Sequence, residues 1–238
     1  MVSKKKTLAI SLKELNEIKP ITETQKEVFA QYKAGQNLFL YGVAGTGKTF
    51  IALYNALKDV LDPKSPRERV YIVRSLLPTR DIGFLPGDEE DKSYLYQVPY
   101  QNMVRFMFKQ PDDRSFDQLY MNLRNQGTID FLSTSFLRGI TIDNGIIIVD
   151  ECQNLNFHEL DTIMTRVGQD TKVIFAGDIQ QTDLTKTNDR NGILDFVNMM
   201  QQMKEMDCVE FDIGDIVRSG LLKSYLINKI KLGLHYET

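Results

Sequence analysis

The residues Gly42-Val43-Ala44-Gly45-Thr46-Gly47-Lys48-Thr49 match the pattern G-x-x-x-x-G-K-[ST]. Glycines at this spacing let the backbone curl until successive N–H groups face inward as a nest for anions. A helix opening at the end of the loop adds the positive end of its dipole. Lys48 then supplies an ammonium for the β- and γ-phosphates of ATP, and Thr49 a hydroxyl oxygen for Mg²⁺. A second run, Ile146-Ile147-Ile148-Val149-Asp150-Glu151, is an apolar strand ending in two acids. Asp150 suits the metal or a water bound to it. Glu151 suits polarising the water that attacks the γ-phosphate. An acid in that second position favours hydrolysis over transfer to a substrate hydroxyl.

Two weaker signals lie further along. Gly177-Asp178 ends another apolar run, with Gln181 and Asp183 just beyond. A polar group such as Gln181 can contact the γ-phosphate or the attacking water, and losing that phosphate would then move the loop. Arg218, in Asp215-Ile216-Val217-Arg218-Ser219, is a candidate for offsetting charge on the γ-phosphate. The sequence-level candidates are therefore Lys48, Glu151, Gln181 and Arg218 for catalysis, residues 42–49 for the nucleotide, and Thr49 and Asp150 for the metal.

Elements of the right kind surround these motifs. Thr22-Glu23-Thr24-Gln25 has capping-box form and opens a helix through Val28, Phe29 and Tyr32 that Gly35 ends. Short apolar strands are predicted at 37–41, 70–73, 128–132, 145–149, 172–176 and 207–211. Helices are predicted after the glycine loop and at about 97–109, 115–125, 156–167, 192–204 and 219–232. Strands alternating with helices call for a mostly parallel sheet covered on both faces, with ligands beyond the carboxyl ends of its strands. All the motifs sit at such ends. Residues 1–20 read as a polar lead-in ending at Pro20, and 21–238 as one domain with a helical insertion at about 90–127.

Composition removes several classes. Lys and Arg number 29 against 32 Asp and Glu, a formal net charge of −3, so any nucleic-acid site must be a local patch. No run approaches the roughly 18 apolar residues of a membrane span, and no hydrophobic stretch follows Lys6 as a secretory signal would. Cys152 and Cys208, with His158 and His235, offer neither a disulfide framework nor zinc spacing. A cytoplasmic protein with no membrane partner is expected.

The motifs together resemble those of the PhoH-like ATPases, whose core is related to the RecA-like domains of superfamily 1 helicases. The matching blocks are GVAGTGKT (42–49), Arg74 with GFLPGD (83–88), FLRG (136–139), IIIVDECQN (146–154), AGDIQQTDL (176–184) and DIVRS (215–219). They span about residues 21–232. The resemblance implies a RecA-like P-loop NTPase fold and ATP hydrolysis with Mg²⁺. It also implies a role on RNA or single-stranded nucleic acid as a helicase or translocase. The chain looks like the small bacteriophage version, acting in a bacterial host's cytoplasm. By the same resemblance Gln25 would read adenine, and Gln153 fits the glutamine after the acids. Arg74 and Arg138 fit recurring arginines that contact nucleic acid, a neighbouring subunit or the γ-phosphate. The stretch 74–81 departs from the family by being shorter and lacking a glutamate, and Cys152 replaces an alanine.

One RecA-like lobe leaves the γ-phosphate edge uncovered, so a homo-oligomer, a hexameric ring among its forms, is expected, with a neighbouring copy the economical source of Arg218; the alternatives are that Arg218 reaches the γ-phosphate of its own chain or caps the sheet. Tyr94, Tyr96, Tyr100, Arg105, Phe106, Lys109, Arg114, Tyr120 and Arg124 could form a basic and aromatic track for a single strand. An ATP-controlled assembly switch acting on a protein partner is the alternative function. A metabolite kinase is disfavoured by Glu151.

Overall fold

The computed structural model describes residues 10–74, 89–134, 136–179 and 187–232; side chains are described from residue 96 in the helix that begins at 89 and from residue 192 in the one that begins at 187. The strands are β1 (Asn37–Gly42), β2 (Arg69–Arg74), β3 (Ile129–Leu132), β4 (Gly145–Asp150), β5 (Lys172–Gly177) and β6 (Met206–Phe211). They form one six-stranded sheet in the order β3-β2-β4-β5-β1-β6. Every pairing is parallel.

β4 and β5 are buried at all their positions, which is why both read as unbroken apolar runs rather than alternating ones. Their side chains still alternate between faces. Ile146, Ile148 and Ile174 join one core layer; Ile147, Val149, Val173 and Phe175 join the other. The first layer is covered by α1 (Glu23–Ala34), α2 (Lys48–Val60), α3 (Glu89–Met107) and α4 (Asp113–Asn125). The second lies under α5 (Phe157–Met164) and α6 (Thr187–Met200). A last helix, α7 (Gly220–Lys231), has no buried residue.

Local chemistry sets the helix ends. The Thr22 side chain accepts from the Gln25 N–H, and Gly35 ends α1 in the left-handed region at φ 103°. Asn156 and Glu159 form a reciprocal capping box at the start of α5. The first helix of the insertion starts earlier than the expected position of about 97, since α3 begins at Glu89. The lead-in joins the body. Ile10 and Leu15 are buried, the Asn16 N–H donates to Met107 O at 2.7 Å, and the Lys109 N–H donates to Glu14 O at 2.9 Å. Residues 10–16 thereby strap the end of α3. No described helix is long and apolar enough to cross a membrane.

Candidate active site

The glycine loop joins β1 to α2. Gly42, Gly45 and Gly47 all have positive φ, at 110°, 78° and 87°. Gly42 has a second constraint, because a Cβ there would lie 2.1 Å from Phe211 O. The Val43 N–H donates to that same carbonyl at 3.0 Å, so β6 fixes the start of the loop. The Thr46 hydroxyl donates to Val43 O at 3.0 Å and closes it from within.

Lys48 opens α2 and is buried. Its ammonium donates to Gly42 O at 2.8 Å and Val43 O at 2.7 Å, beneath the loop. Burial lowers its pKa, while the carboxylates of Asp178, Glu151 and Asp150 pull it back up. The ammonium therefore faces acids from the ends of both β4 and β5, with β5 lying between β4 and the strand that carries the loop.

Thr49 and Asp150 meet directly. The Thr49 hydroxyl donates to Asp150 Oδ1 at 2.6 Å, joining positions 101 residues apart. Asp150 Oδ2 accepts from the Tyr100 hydroxyl, also at 2.6 Å. Burial raises the Asp150 pKa, and these two hydrogen bonds oppose the rise. A buried carboxylate beside a hydroxyl is an all-oxygen donor set, which suits a hard cation such as Mg²⁺. Among the described residues no three His, Cys, Asp or Glu side chains converge as a metal cage. Mg²⁺ is ordinarily bound through one or two carboxylates plus substrate phosphates, so the residues present fit that ion with a nucleotide. Arg74 also stands at this edge, paired with Asp150 in the β2–β4 register.

Glu151 lies in the left-handed region at φ 51° and ψ 43°, a backbone state that costs a non-glycine residue about 1–3 kcal/mol and clusters at functional sites. It starts a tight 3-10 turn over Cys152–Asn154. The turn lets Gln153 reach back, where its Nε2 donates to Glu151 Oε2 at 2.7 Å. Gln153 Oε1 accepts from the Asp178 N–H at 3.0 Å. One amide thus ties the second acid of β4 to the end of β5. Gly177 permits the approach: a Cβ there would sit 2.4 Å from Gln153 Oε1 and 2.8 Å from Cys152 Sγ. Cys152 is fully buried and packs in the core, and burial pushes its thiol well above the usual range.

The remaining sequence candidates are placed unevenly. Gln25 is buried, donating to Thr46 O at 3.0 Å and accepting from the Ile21 N–H at 2.8 Å, so one end of its amide braces the phosphate loop while the other is held by the chain just before α1. Arg218 is exposed at the loop's other flank. The Val217 N–H donates to Gly45 O at 3.2 Å, and a Cβ on Gly45 would lie 3.2 Å from Arg218 Cγ. The arginine expected to serve a neighbouring copy therefore borders the loop of its own chain. Arg138 is exposed next to Phe136, which is 76% exposed. Gln181, Asp183 and the GFLPGD block lie outside the described residues.

The expected basic and aromatic track is broken up. Tyr100 and Tyr120 are buried. Arg105 pairs with Asp113 and Asp117 and lies over the Phe116 ring, and Arg124 pairs with Asp130 over the Phe131 ring. Helical amphipathicity turned Tyr100 and Tyr120 inward, and neighbouring carboxylates took the Arg105 and Arg124 guanidiniums. Phe106, Lys109 and Arg114 remain exposed, and the Tyr94 side chain lies outside the described ones. Tyr100 is the site residue that sequence reasoning misassigned, for no local spacing signals a contact with an acid 50 residues away.

Known proteins align over the same region. The family described as PhoH-like protein matches residues 17–229. Protein PhoH2 of Bacillus subtilis (strain 168) is 33% identical over 159 residues, which make up 66% of this chain and 35% of that protein. The PhoH-like protein of Mycobacterium leprae (strain TN) is 29% identical over 217 residues, 91% of this chain and 59% of that one. The chain spans less than two thirds of the length of either relative. Among solved structures it is similar to the Pif1 helicase from Bacteroides in complex with ADP-AlF3 and ssDNA. That likeness has 16% identity and a TM-score of 0.40, and covers 91% of this chain and 47% of that one.

Proposed function

The chain belongs to the PhoH-like protein family, and from that premise we propose that it hydrolyses ATP with Mg²⁺ and couples the hydrolysis to RNA or single-stranded nucleic acid. The observation that carries the hydrolytic reading is the meeting of Thr49 with Asp150, with Lys48 and Glu151 beside them. Those four side chains supply the separate tasks of phosphoryl transfer to water, which consist almost entirely of positioning and charge stabilisation.

In this reading the loop N–H groups cradle the phosphates, and Lys48 exchanges its loop carbonyls for the β- and γ-oxygens. Thr49 and Asp150 would hold Mg²⁺, which would supply positive charge against the phosphates. Glu151 accepts a proton from the attacking water, with its carboxylate held by Gln153. Gln25 keeps the loop in shape from one side. Arg218 offsets γ-phosphate charge from the other, in its own chain, because its stem already borders Gly45. Gln181 contacts the γ-phosphate or the water. The nucleic-acid contact is assigned to the exposed residues Phe136 and Arg138, which pair a stacking surface with a cation. A homo-oligomer fits a chain with one such core.

Glu151→Gln tests the core of this proposal. The amide keeps the shape but accepts no proton, so nucleotide binding should persist while phosphate release falls at least about a hundredfold. Wild-type turnover in that variant would remove Glu151 from the mechanism. A phosphorylated metabolite in place of free phosphate would replace hydrolysis by kinase chemistry. Turnover indifferent to RNA and to single-stranded DNA would favour the assembly switch. Mixing Lys48→Ala with Arg218→Ala subunits tests where the arginine acts. Mixtures no more active than the sum of the two support action in cis, and recovery of activity would return Arg218 to a neighbouring copy.

A further inference from the structure

Tyr100 comes from the helical insertion, yet its hydroxyl ends on the metal-side acid. Asp150 has two carboxylate oxygens, and each takes one strong donor: Thr49 on Oδ1 and Tyr100 on Oδ2, both at 2.6 Å. The terminal torsion of an aspartate is broad, so one hydrogen bond leaves the plane of the carboxylate free to swing. Two donors on opposite oxygens fix it. Asp150 and Tyr100 are both buried, so the carboxylate is held by these protein hydroxyls rather than by bulk solvent.

The tyrosine is itself held firmly. It is 2% exposed, and its ring meets Phe131 of β3 edge-on at 5.4 Å between centroids. Further along α3, Phe106 meets Phe50 at 5.8 Å, and Phe50 is the residue after Thr49. The lead-in strap pins the same end of the helix through Met107 and Lys109. α3 therefore touches both members of the Thr49–Asp150 pair: Asp150 directly, and Thr49 through its neighbour.

We propose that Tyr100 is a positioning residue for magnesium, orienting Asp150 through the hydroxyl it donates from α3, so that the helical insertion is a working part of the nucleotide site. The inference rests on the Mg²⁺-nucleotide reading above. Outer-shell partners of metal ligands typically contribute about 10–100-fold in metal affinity.

The experiment is a Mg²⁺ titration of the full chain with a fluorescent ATP analogue, comparing wild type with Tyr100→Phe. The phenylalanine keeps the ring on Phe131 and removes only the donor. The Mg²⁺ concentration for half-maximal response should rise about tenfold, while nucleotide affinity without Mg²⁺ stays within about twofold. Phe131→Leu serves as a packing control, since it loosens the ring's seat and keeps the hydroxyl; it should shift the Mg²⁺ response far less. A double-mutant cycle with Asp150→Asn closes the test, because Tyr100→Phe should add nothing once the carboxylate is gone. Superimposable Mg²⁺ titrations, an equal shift in the packing control, or additive losses in the cycle would each overturn the proposal. Wild-type protein that binds no nucleotide would instead overturn the reading on which it rests.

Discussion

α2 and α7 both reach the phosphate loop, and they are held in opposite ways. α2 grows out of the loop and is buried without interruption from Ile51 through Leu57. Its far end is tied as well, for Asp59 accepts from the Tyr32 hydroxyl at 2.7 Å and pairs with Arg67 at 3.1 Å. α7 touches the loop where Leu226 lies by Gly45, but it buries no residue, and Leu221 is 87% exposed. A helix locked in a core transmits position, because packed interiors leave little room to shift. A helix with few buried contacts opens locally at low cost. The phosphate loop therefore has one rigid wall, which carries Lys48 and Thr49, and one yielding wall, α7, which begins two residues after Arg218.

Substitutions in the two walls separate these roles. Lys48→Ala removes the rigid wall's charge at the phosphates, and turnover should fall at least about a hundredfold, since electrostatic stabilisation is usually the largest catalytic term; a phosphate-release assay measures it. Leu57→Ala leaves a cavity in α2 and should cost about 2–5 kcal/mol in urea unfolding. A cost below that range would mean α2 is less firmly seated than its burial implies.

Gly45→Ala works at the boundary between the walls. Its φ of 78° strains any other residue by roughly 1–2 kcal/mol, and the added methyl presses on Arg218 Cγ and Leu226 Cδ1, each 3.2 Å away. Nucleotide affinity should fall about tenfold, the equivalent of roughly 1.4 kcal/mol, read by fluorescence titration, and the melting temperature should drop by about 2–8 °C for that strain. Leu221→Ala in α7 should alter stability by less than about 0.5 kcal/mol, against the large loss in α2. A comparable loss would show that α7 is as firmly held as α2.

A pH-dependent effect concerns the far end of α2. Lys172 donates to Tyr32 O at 2.7 Å, behind the Tyr32–Asp59 hydrogen bond. Burial, and after it the nearby Arg67 charge, pushes its pKa down from 10.5 to about 8. The folded chain then gives up this proton near pH 8, whereas the unfolded chain holds it to about 10.5. Between those values the unfolded state binds more protons, so stability should rise with pH across the window. Urea unfolding of wild type relative to Lys172→Met, followed from pH 7.5 to 10, checks the sign; a flat difference would mean that folding does not depress the Lys172 pKa.

The sequence by itself determined the candidate residues and the kinds of element. GVAGTGKT, IIIVDE and the alternation of apolar runs with amphipathic stretches are local patterns, and local patterns survive without a fold. They were enough to place Lys48, Thr49, Asp150 and Glu151 at strand ends and to call for a parallel sheet. Boundaries were less legible where helices extend into polar residues, as α3 does back to Glu89. What only the tertiary structure decided is which distant residue faces which acid. Tyr100 could equally have stacked on a strand of nucleic acid, and the structure instead buries it against Asp150. Strand order brings the acids together with their neighbours: β5 lies between β1 and β4, and β2 carries Arg74 alongside Asp150. Hydrogen bonds such as Tyr100 to Asp150 depend on that order and on which helix face is buried. A buried hydroxyl must find an acceptor among whatever the fold brings near, and no spacing along the chain encodes that neighbour.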